Sequence, residues 1–332
     1  MTMNTTELIR NAAKNNPVYS LFDNAEVLKF LDGLEIEKSI WKDNIKSERS
    51  LRFSTNDSKQ AYDLIESFDL NPKSFPDKFS KAIEGDGQEH RRIRTLHSSS
   101  LISLLCFYNV SETNPLCISI DGHDIEFTES SFEERNWIGN DEDGKPHNSN
   151  MDVLLIGRNK ITGKKVVLFL ESKFSEYLSW GKHTGISNSV YWETYDKLFR
   201  YLELMGLKYK PMKNNKQYSE LVSIKGRTNH YASGIKQMVS HFMGVSNVTK
   251  EYNNYDIYLG TILYRFPETV DPNNKKFNDY TGLYDILTEG LNSISESKFK
   301  VIGQCFTYQD VFKSYDLDSA VRAFYSLPIA ED

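Results

Sequence analysis

Three side chains stand out for their type and separation: Asp152, Glu171 and Lys173. Asn150-Met151-Asp152-Val-Leu-Leu-Ile and Val166-Val-Leu-Phe-Leu-Glu171-Ser172-Lys173 read as two strands, with Asn159-Lys-Ile-Thr-Gly163 between them as a hairpin loop. A turn centred on Ile161 and Thr162 sets Asp152 opposite Glu171 to within one residue of register. Cross-strand partners have Cβ atoms about 4.5–5.5 Å apart. Two carboxylates so placed at the end of an apolar hairpin repel each other and are costly to desolvate unless a cation sits between them. Oxygen ligands of this kind suit Mg²⁺ or Mn²⁺. Strand alternation puts Lys173 on the face of Glu171, one pleat along. An ammonium beside a metal-bound water and a phosphodiester can orient the nucleophile and stabilise transition-state charge.

The plain alternative is an exposed strand end carrying a surface ion pair. Val166–Leu170 is too apolar for a surface edge, which weighs against it. The chain also carries its own control, Glu296-Ser297-Lys298. That copy precedes a strand instead of ending one, and no carboxylate hairpin partner stands upstream.

The positioning elements follow from hydrophobic period and turn signals. Residues 1–85 read as a mainly helical extension, with Leu21, Phe22, Val27, Leu28, Phe30 and Leu31 at helical spacing and Asn71-Pro72 and Phe75-Pro76 closing it. A long helix is predicted from Gly85 through His90, Arg94, Leu101 and Leu104 to Tyr108. Leu116–Phe127 is predicted as one or two strands about Asp121-Gly122, and the segment from Asn140 to His147 as a polar loop. After the hairpin come a helix over Tyr191–Met205, a basic stretch over Leu207–His230, a short helix over Gly234–Gly244 and an apolar strand over Tyr255–Phe266. A helix near Tyr284–Ile294 and a last strand–helix portion end the chain. The expected organisation is a helical extension (1–85), a core (86–270) with an inserted helical and basic segment (177–233), and an α/β addition (271–332).

The totals bound the function. Of 332 residues, 39% are hydrophobic and 26% charged, as in an ordinary globule. No apolar run approaches the ~18 residues of a membrane span. The first residues lack a basic start followed by an apolar stretch, so a cytoplasmic address without a membrane is the expectation. Cys106, Cys117 and Cys305 are odd in number and widely spaced, as expected of reduced thiols and not of a disulfide frame or zinc site. The net charge of −6 excludes a surface uniformly coated for nucleic acid, so any such surface is concentrated locally.

The two strands with Asp152 and Glu171-Ser172-Lys173-Phe174 resemble the core signature of the PD-(D/E)XK nuclease superfamily. The order helix, strand, strand, strand, helix, strand over roughly residues 86–266 is similar to that superfamily's core, and Met151 stands where the family name has Pro. The resemblance implies a restriction-endonuclease-like α/β fold, a mixed central sheet flanked by helices. It implies Asp152 and Glu171 as metal ligands, the backbone carbonyl of Ser172 completing the shell, and Lys173 as the catalytic lysine. The implied reaction is phosphodiester hydrolysis by a metal-activated water.

Around this set stand residues with two readings each. Glu89, in Asp86-Gly-Gln-Glu89, is either the far half of a capping box or, as in many family members, a further acidic ligand on the first core helix. There Glu89, Ile93, Leu96 and Ser100 would share a face. Ser98-Ser-Ser100 in mid-helix suggests close packing on the sheet or contact with substrate. Glu133 and Glu134 are expected at a strand end near the site, at least one of them solvated. Gln237-x-x-x-His241 puts two polar side chains on one helix face, where RecB-like branches carry Gln-x-x-x-Tyr, which would make the two residues nucleic-acid contacts; the alternative is a satisfied surface histidine. Lys208, Lys210, Lys213, Lys216, Lys225 and Arg227, six cations against one Glu with tyrosines interleaved, make either a phosphate-tracking surface or a solvated loop. Arg91, Arg92 and Arg94 either add to that surface or form ion pairs.

The resulting expectation is a Mg²⁺- or Mn²⁺-dependent nuclease acting on nucleic acid, DNA before RNA, in restriction, defence or repair. A homodimer is compatible with it, because two strands need two sites. The alternatives are a catalytically silent nuclease-fold binding module and a metal-dependent phosphohydrolase of a small substrate.

Overall fold

The computed structural model describes residues 4–32, 34, 36–39, 50–53, 65–68, 70, 73–84, 93–178, 189–204, 207–212, 217–224, 227–229, 232–296 and 299–329. Helix α1 (Thr5–Asn15) starts at Asn4, whose side chain accepts from the Glu7 N–H, and α2 (Ala25–Asp32) follows a 3-10 turn. Strands β1 (Ile36–Ser39) and β2 (Ser50–Phe53) pair antiparallel, and α3 (Pro76–Glu84) leads to the apolar helix α4 (Ser99–Phe107). An antiparallel meander then runs β3 (Leu116–Ile120), β4 (His123–Asn140), β5 (Pro146–Asn159) and β6 (Lys165–Lys173). Next come α5 (Trp192–Leu204), a small antiparallel sheet of β7 (Leu207–Met212), β8 (Gln217–Ile224) and β9 (Arg227–Asn229), and α6 (Ala232–Val248). The chain re-enters the main sheet as β10 (Tyr255–Leu263). It closes with α7 (Lys275–Ile294), β11 (Phe299–Val301), β12 (Phe306–Thr307), α8 (Tyr308–Val311) and α9 (Ser319–Phe324).

The protein is therefore α/β, with a mixed seven-stranded sheet flanked by helices. Its order is β11-β10-β6-β5-β4-β3, with β12 also on β10; β10 is parallel to β6, β11 and β12, and the meander is antiparallel. Strand β6 lies between β5 and β10, which explains why Val166–Leu170 is a continuous apolar run: a central strand is buried on both faces. Its alternation directs Ser172 to one face, toward α4, and Glu171 and Lys173 to the other, toward α6.

Local chemistry sets the hairpins. Asp121 and Gly122 both have positive φ (52° and 78°), the pattern of a two-residue turn whose twist matches the flanking strands. Between β5 and β6 the Asn159 Oδ1 accepts from the Ile161 and Thr162 N–H groups, and Gly163 takes the expected left-handed conformation at φ 69°. The segment expected as a polar loop shrinks to a tight turn closing the β4–β5 hairpin, where the Asp141 N–H donates to the Lys145 carbonyl. Both strands therefore run well past the end of β6.

The long helix expected over Gly85–Tyr108 is not observed across its described part. Residues 93–98 form turns, because the Phe53 N–H donates to the Arg94 carbonyl and the Leu96 N–H to the Leu51 carbonyl, tying this segment to β2. The helix begins at Ser99, with Ser98 as N-cap accepting from the Leu101 N–H. The serine triplet thus starts the helix instead of interrupting it. Residues 177–233 carry the β7–β9 sheet as well as helix, where only a helical and basic segment was expected. At the other end of the fold, Phe22, Phe30, Phe53 and Phe68 surround Phe324 at centroid distances of 5.0–6.4 Å, so α9 closes over the N-terminal helices. Among the described residues no helix is long and apolar enough to cross a membrane.

Candidate active site

The β5–β6 ladder pairs Arg158 with Lys165 and continues to Val153 with Leu170. One further step in the same register brings Asp152 beside Glu171, as hairpin arithmetic requires. At that step a side chain replaces the backbone: the Ser172 N–H donates to Asp152 Oδ2 at 2.6 Å. On the other flank, Phe132 pairs with Val153 and Glu134 with Met151, which brackets Glu133 opposite Asp152. Glu133, Asp152 and Glu171 thus occupy one row across β4, β5 and β6. Glu133 is in the interior of β4, not at the expected strand end, because β4 continues to Asn140. Its φ of 51° is rare for a residue with a side chain. Neighbouring Glu134 is turned to the surface ion pair with Lys81 at 2.6 Å.

Glu171 is 3% exposed, and both its oxygens are engaged. Lys173 Nζ donates to Oε1, and His241 Nε2 donates to Oε2 at 2.6 Å. Lys173 Nζ also donates to Gln237 Oε1 at 2.7 Å. Behind the imidazole, His241 Nδ1 lies 2.5 Å from Ser149 Oγ. A nitrogen facing a carboxylate carries the proton, so His241 is protonated on Nε2, and Nδ1 is the atom that meets the Ser149 hydroxyl. Ser172 places its hydroxyl on the opposite face, 2.7 Å from the Tyr308 hydroxyl and 3.4 Å from the Ser99 carbonyl, which fastens the strand end to α4 and α8.

The electrostatics separate the two central carboxylates. Burial pushes Asp152 well above the ordinary carboxylate range, and the charges of Glu171 and Glu133 add to this; Lys173 and the Ser172 N–H oppose it. Burial alone would raise Glu171 too, but the Lys173 charge and then His241 outweigh it and hold Glu171 below the usual range. Lys173 itself is raised: burial favours its neutral form, but Glu171, Glu176 and Asp152 more than compensate. Lys173 and His241 both bond Glu171, whereas Asp152 makes its hydrogen bond to the Ser172 N–H and feels Lys173 too weakly to offset its burial and its two acidic neighbours.

Of the residues expected at a site, Asp152, Glu171, Ser172, Lys173, Gln237 and His241 come together, with Glu133 beside Asp152. His241 is not a surface or substrate-facing residue. It is buried under Glu171 because α6 packs that face on β4 and β5, whereas Gln237 one turn earlier is exposed. Glu89, Arg91 and Arg92 lie outside the described residues. So do Lys213, Lys216 and Lys225, and likewise the side chains of Lys208, Lys210 and Arg227, although β7 and β9 are placed. Ser149 and Tyr308 were not anticipated: each belongs to the site through a contact with a residue 92 or 136 positions away.

Two chemistries suit these groups to different degrees. Ser149, His241 and Glu171 stand in the order hydroxyl, imidazole, carboxylate used by nucleophilic hydrolases. Yet Ser149 is 2% exposed beneath α6, so its hydroxyl orients and does not attack. The carboxylates answer better to a hard divalent cation. Among the described residues no three His, Cys, Asp or Glu side chains form a metal cage. Mg²⁺ does not need one: it binds through one or two carboxylates and keeps several waters. Asp152 beside Glu171 offers the two carboxylates such an ion would use. No protein-family model, no curated protein and no solved structure matches this chain.

Proposed function

We propose that this chain is a Mg²⁺-dependent nuclease with a restriction-endonuclease-like core of the PD-(D/E)XK type, hydrolysing phosphodiester bonds, with DNA as the first substrate to test. The observation that carries the reading is geometric: Asp152 stands one ladder step beyond Val153–Leu170, beside the buried Glu171–Lys173 pair, with Glu133 on its other flank. The topology is compatible with it: α4, the antiparallel β3–β4–β5–β6 meander, then α6 and β10 parallel to β6 follow the expected sequence of helix, strands, helix and strand, with α5 and β7–β9 inserted before α6. Asp152, Glu171 and the Ser172 carbonyl would hold the cation. When bound, it supplies Lewis-acid charge to a phosphodiester and a source of hydroxide at neutral pH. Lys173 keeps a positive charge beside the scissile group, and Gln237 fixes the direction of its Nζ.

A silent binding module is the less favoured reading. Holding Asp152 against two other acids costs stability, and a module that only binds gains nothing from it. The deciding experiment incubates the full chain with linear, circular and single-stranded DNA and with RNA, in Mg²⁺ or Mn²⁺, beside Asp152→Ala and Lys173→Ala. The expected result is cleavage by the wild type that both substitutions abolish. Cleavage that persists unchanged in both variants overturns the proposal.

A further inference from the structure

Glu171 has two oxygens and two different kinds of partner. Lys173 has a second acceptor ready, since the same Nζ already donates to Gln237 Oε1 at 2.7 Å. It can leave Glu171 Oε1 and keep that hydrogen bond, while the charges of Glu171, Glu176 and Asp152 stay close enough to spare it the cost of a buried, uncompensated ammonium. His241 has no comparable freedom. It is buried, its Nε2 is on Glu171 Oε2 at 2.6 Å, and its Nδ1 is locked by Ser149 Oγ at 2.5 Å. The backbone reinforces this anchor. Gly244, one helical turn beyond His241, packs so closely on β4 and β5 that a Cβ there would lie 2.9 Å from Asn136 Cβ and 3.1 Å from Ser149 Cβ. The close approach permitted by Gly244 brings the imidazole within reach of Ser149 on β5 and Glu171 on β6.

We propose that Ser149 and His241 are positioning residues that fix one oxygen of Glu171, while Lys173 is the exchangeable partner that yields the other oxygen to a divalent cation shared with Asp152. The inference rests on the metal reading above and assigns to the Ser149–His241 pair a role that Asp152, Glu171 and Lys173 do not fill. Groups that orient a ligand from behind have a characteristic weight: removing one costs roughly 10- to 100-fold in metal affinity. Ser149 acts one bond further out, so its removal weakens binding less than removal of His241. Lys173 competes for Glu171 Oε1, so its removal leaves affinity equal or tighter.

The test is Mn²⁺ binding to the full chain by isothermal titration and by the electron paramagnetic resonance signal of free Mn²⁺, without substrate. Wild type is compared with Asp152→Asn, His241→Ala, His241→Gln, Ser149→Ala and Lys173→Met, each first checked for a cooperative thermal transition. The expected order is Lys173→Met equal to or tighter than wild type, then Ser149→Ala weaker, and His241→Ala weaker by about 10-fold or more. His241→Gln, which keeps an N–H donor, recovers part of the loss. Asp152→Asn abolishes binding. If Asp152→Asn loses Mn²⁺ while His241→Ala and His241→Gln bind it like wild type, the positioning role is overturned and the metal reading stands. If His241→Ala does not fold, His241→Gln and Ser149→Ala decide by the same criterion. If the wild type binds no Mn²⁺, both readings fall together.

Discussion

Glu171-Ser172-Lys173 and Glu296-Ser297-Lys298 are the same tripeptide in two settings. The first ends β6, the strand between β5 and β10, and its glutamate is 3% exposed with donors on both oxygens. The second has only its glutamate among the described residues. Glu296 lies just before β11, its side chain 88% exposed, 3.6 Å from a Lys197 that is already 3.1 Å from Glu193. Composition is identical, so the difference comes from the neighbours. A strand flanked on both sides and capped by α6 turns a glutamate and a lysine into a desolvated pair beside a second acidic side chain, Asp152. A strand start at the surface leaves its glutamate to water.

The largest consequence is in rate. Under the proposed function, Lys173→Ala and Asp152→Ala each lower cleavage by at least about 10²–10³-fold, the usual effect of removing one charged stabiliser from a preorganised site. Glu296→Ala leaves the rate at the wild-type value. A gel-based time course on a linear duplex measures both, and a rate loss in Glu296→Ala would end the contrast between the two copies.

Stability sharpens the same contrast. Glu171→Ala leaves Lys173 and His241 facing each other without their shared acceptor, and breaking a buried pair in this way costs about 3–5 kcal/mol. Urea unfolding in metal-free buffer checks this as a lower midpoint with an unchanged slope. The effect also has a pH signature. Glu171 is held below its ordinary value of 4.5 in the folded chain, so the stability it contributes is complete above that value. It is lost as the pH falls from 4.5 through the lower folded pKa.

Much of this contrast was readable in the residues. Strand alternation and a short loop fix register, so Asp152 opposite Glu171 needed only counting. The apolar run Val166–Leu170 announced a central strand. Long-range pairing was not readable. The helix start was misplaced because residues 94–96 pair with Leu51 and Phe53 of β2, more than 40 residues earlier. Gln237 and His241 could be assigned to one helix face, but their spacing says nothing of what that face covers. His241 therefore read either as a substrate-facing motif residue or as a surface histidine, and it is neither: it is buried on Glu171. Ser149 carried no local signal, since its role exists only once α6 lies on the β4–β5 hairpin.

Asp152 is the counterpart of Glu171 and is expected to respond in the opposite direction. Burial first, then Glu171 and Glu133, hold it above its ordinary value of 3.8, so the folded chain binds this proton more tightly than the unfolded chain. The stability linked to it is greatest below 3.8 and declines as the pH rises through the folded pKa. In metal-free buffer Asp152→Asn therefore raises the thermal midpoint at neutral pH, and the gain shrinks toward zero as the pH approaches 3.8. A substitution that removes activity while raising stability marks a residue kept for something other than folding. A lower midpoint at pH 7 would place Asp152 among ordinary structural carboxylates.

The smallest expected effect is at Glu296. Its only described partner is an exposed lysine at 3.6 Å with a nearer glutamate of its own. Water and salt screen such a pair, and Lys197 keeps Glu193 when Glu296 is gone. Glu296→Ala is therefore expected to leave the thermal midpoint unchanged at low salt and at high salt alike. A salt-dependent loss would mean that the second copy carries more electrostatic weight than its exposure allows. The two tripeptides would then differ in degree and not in kind.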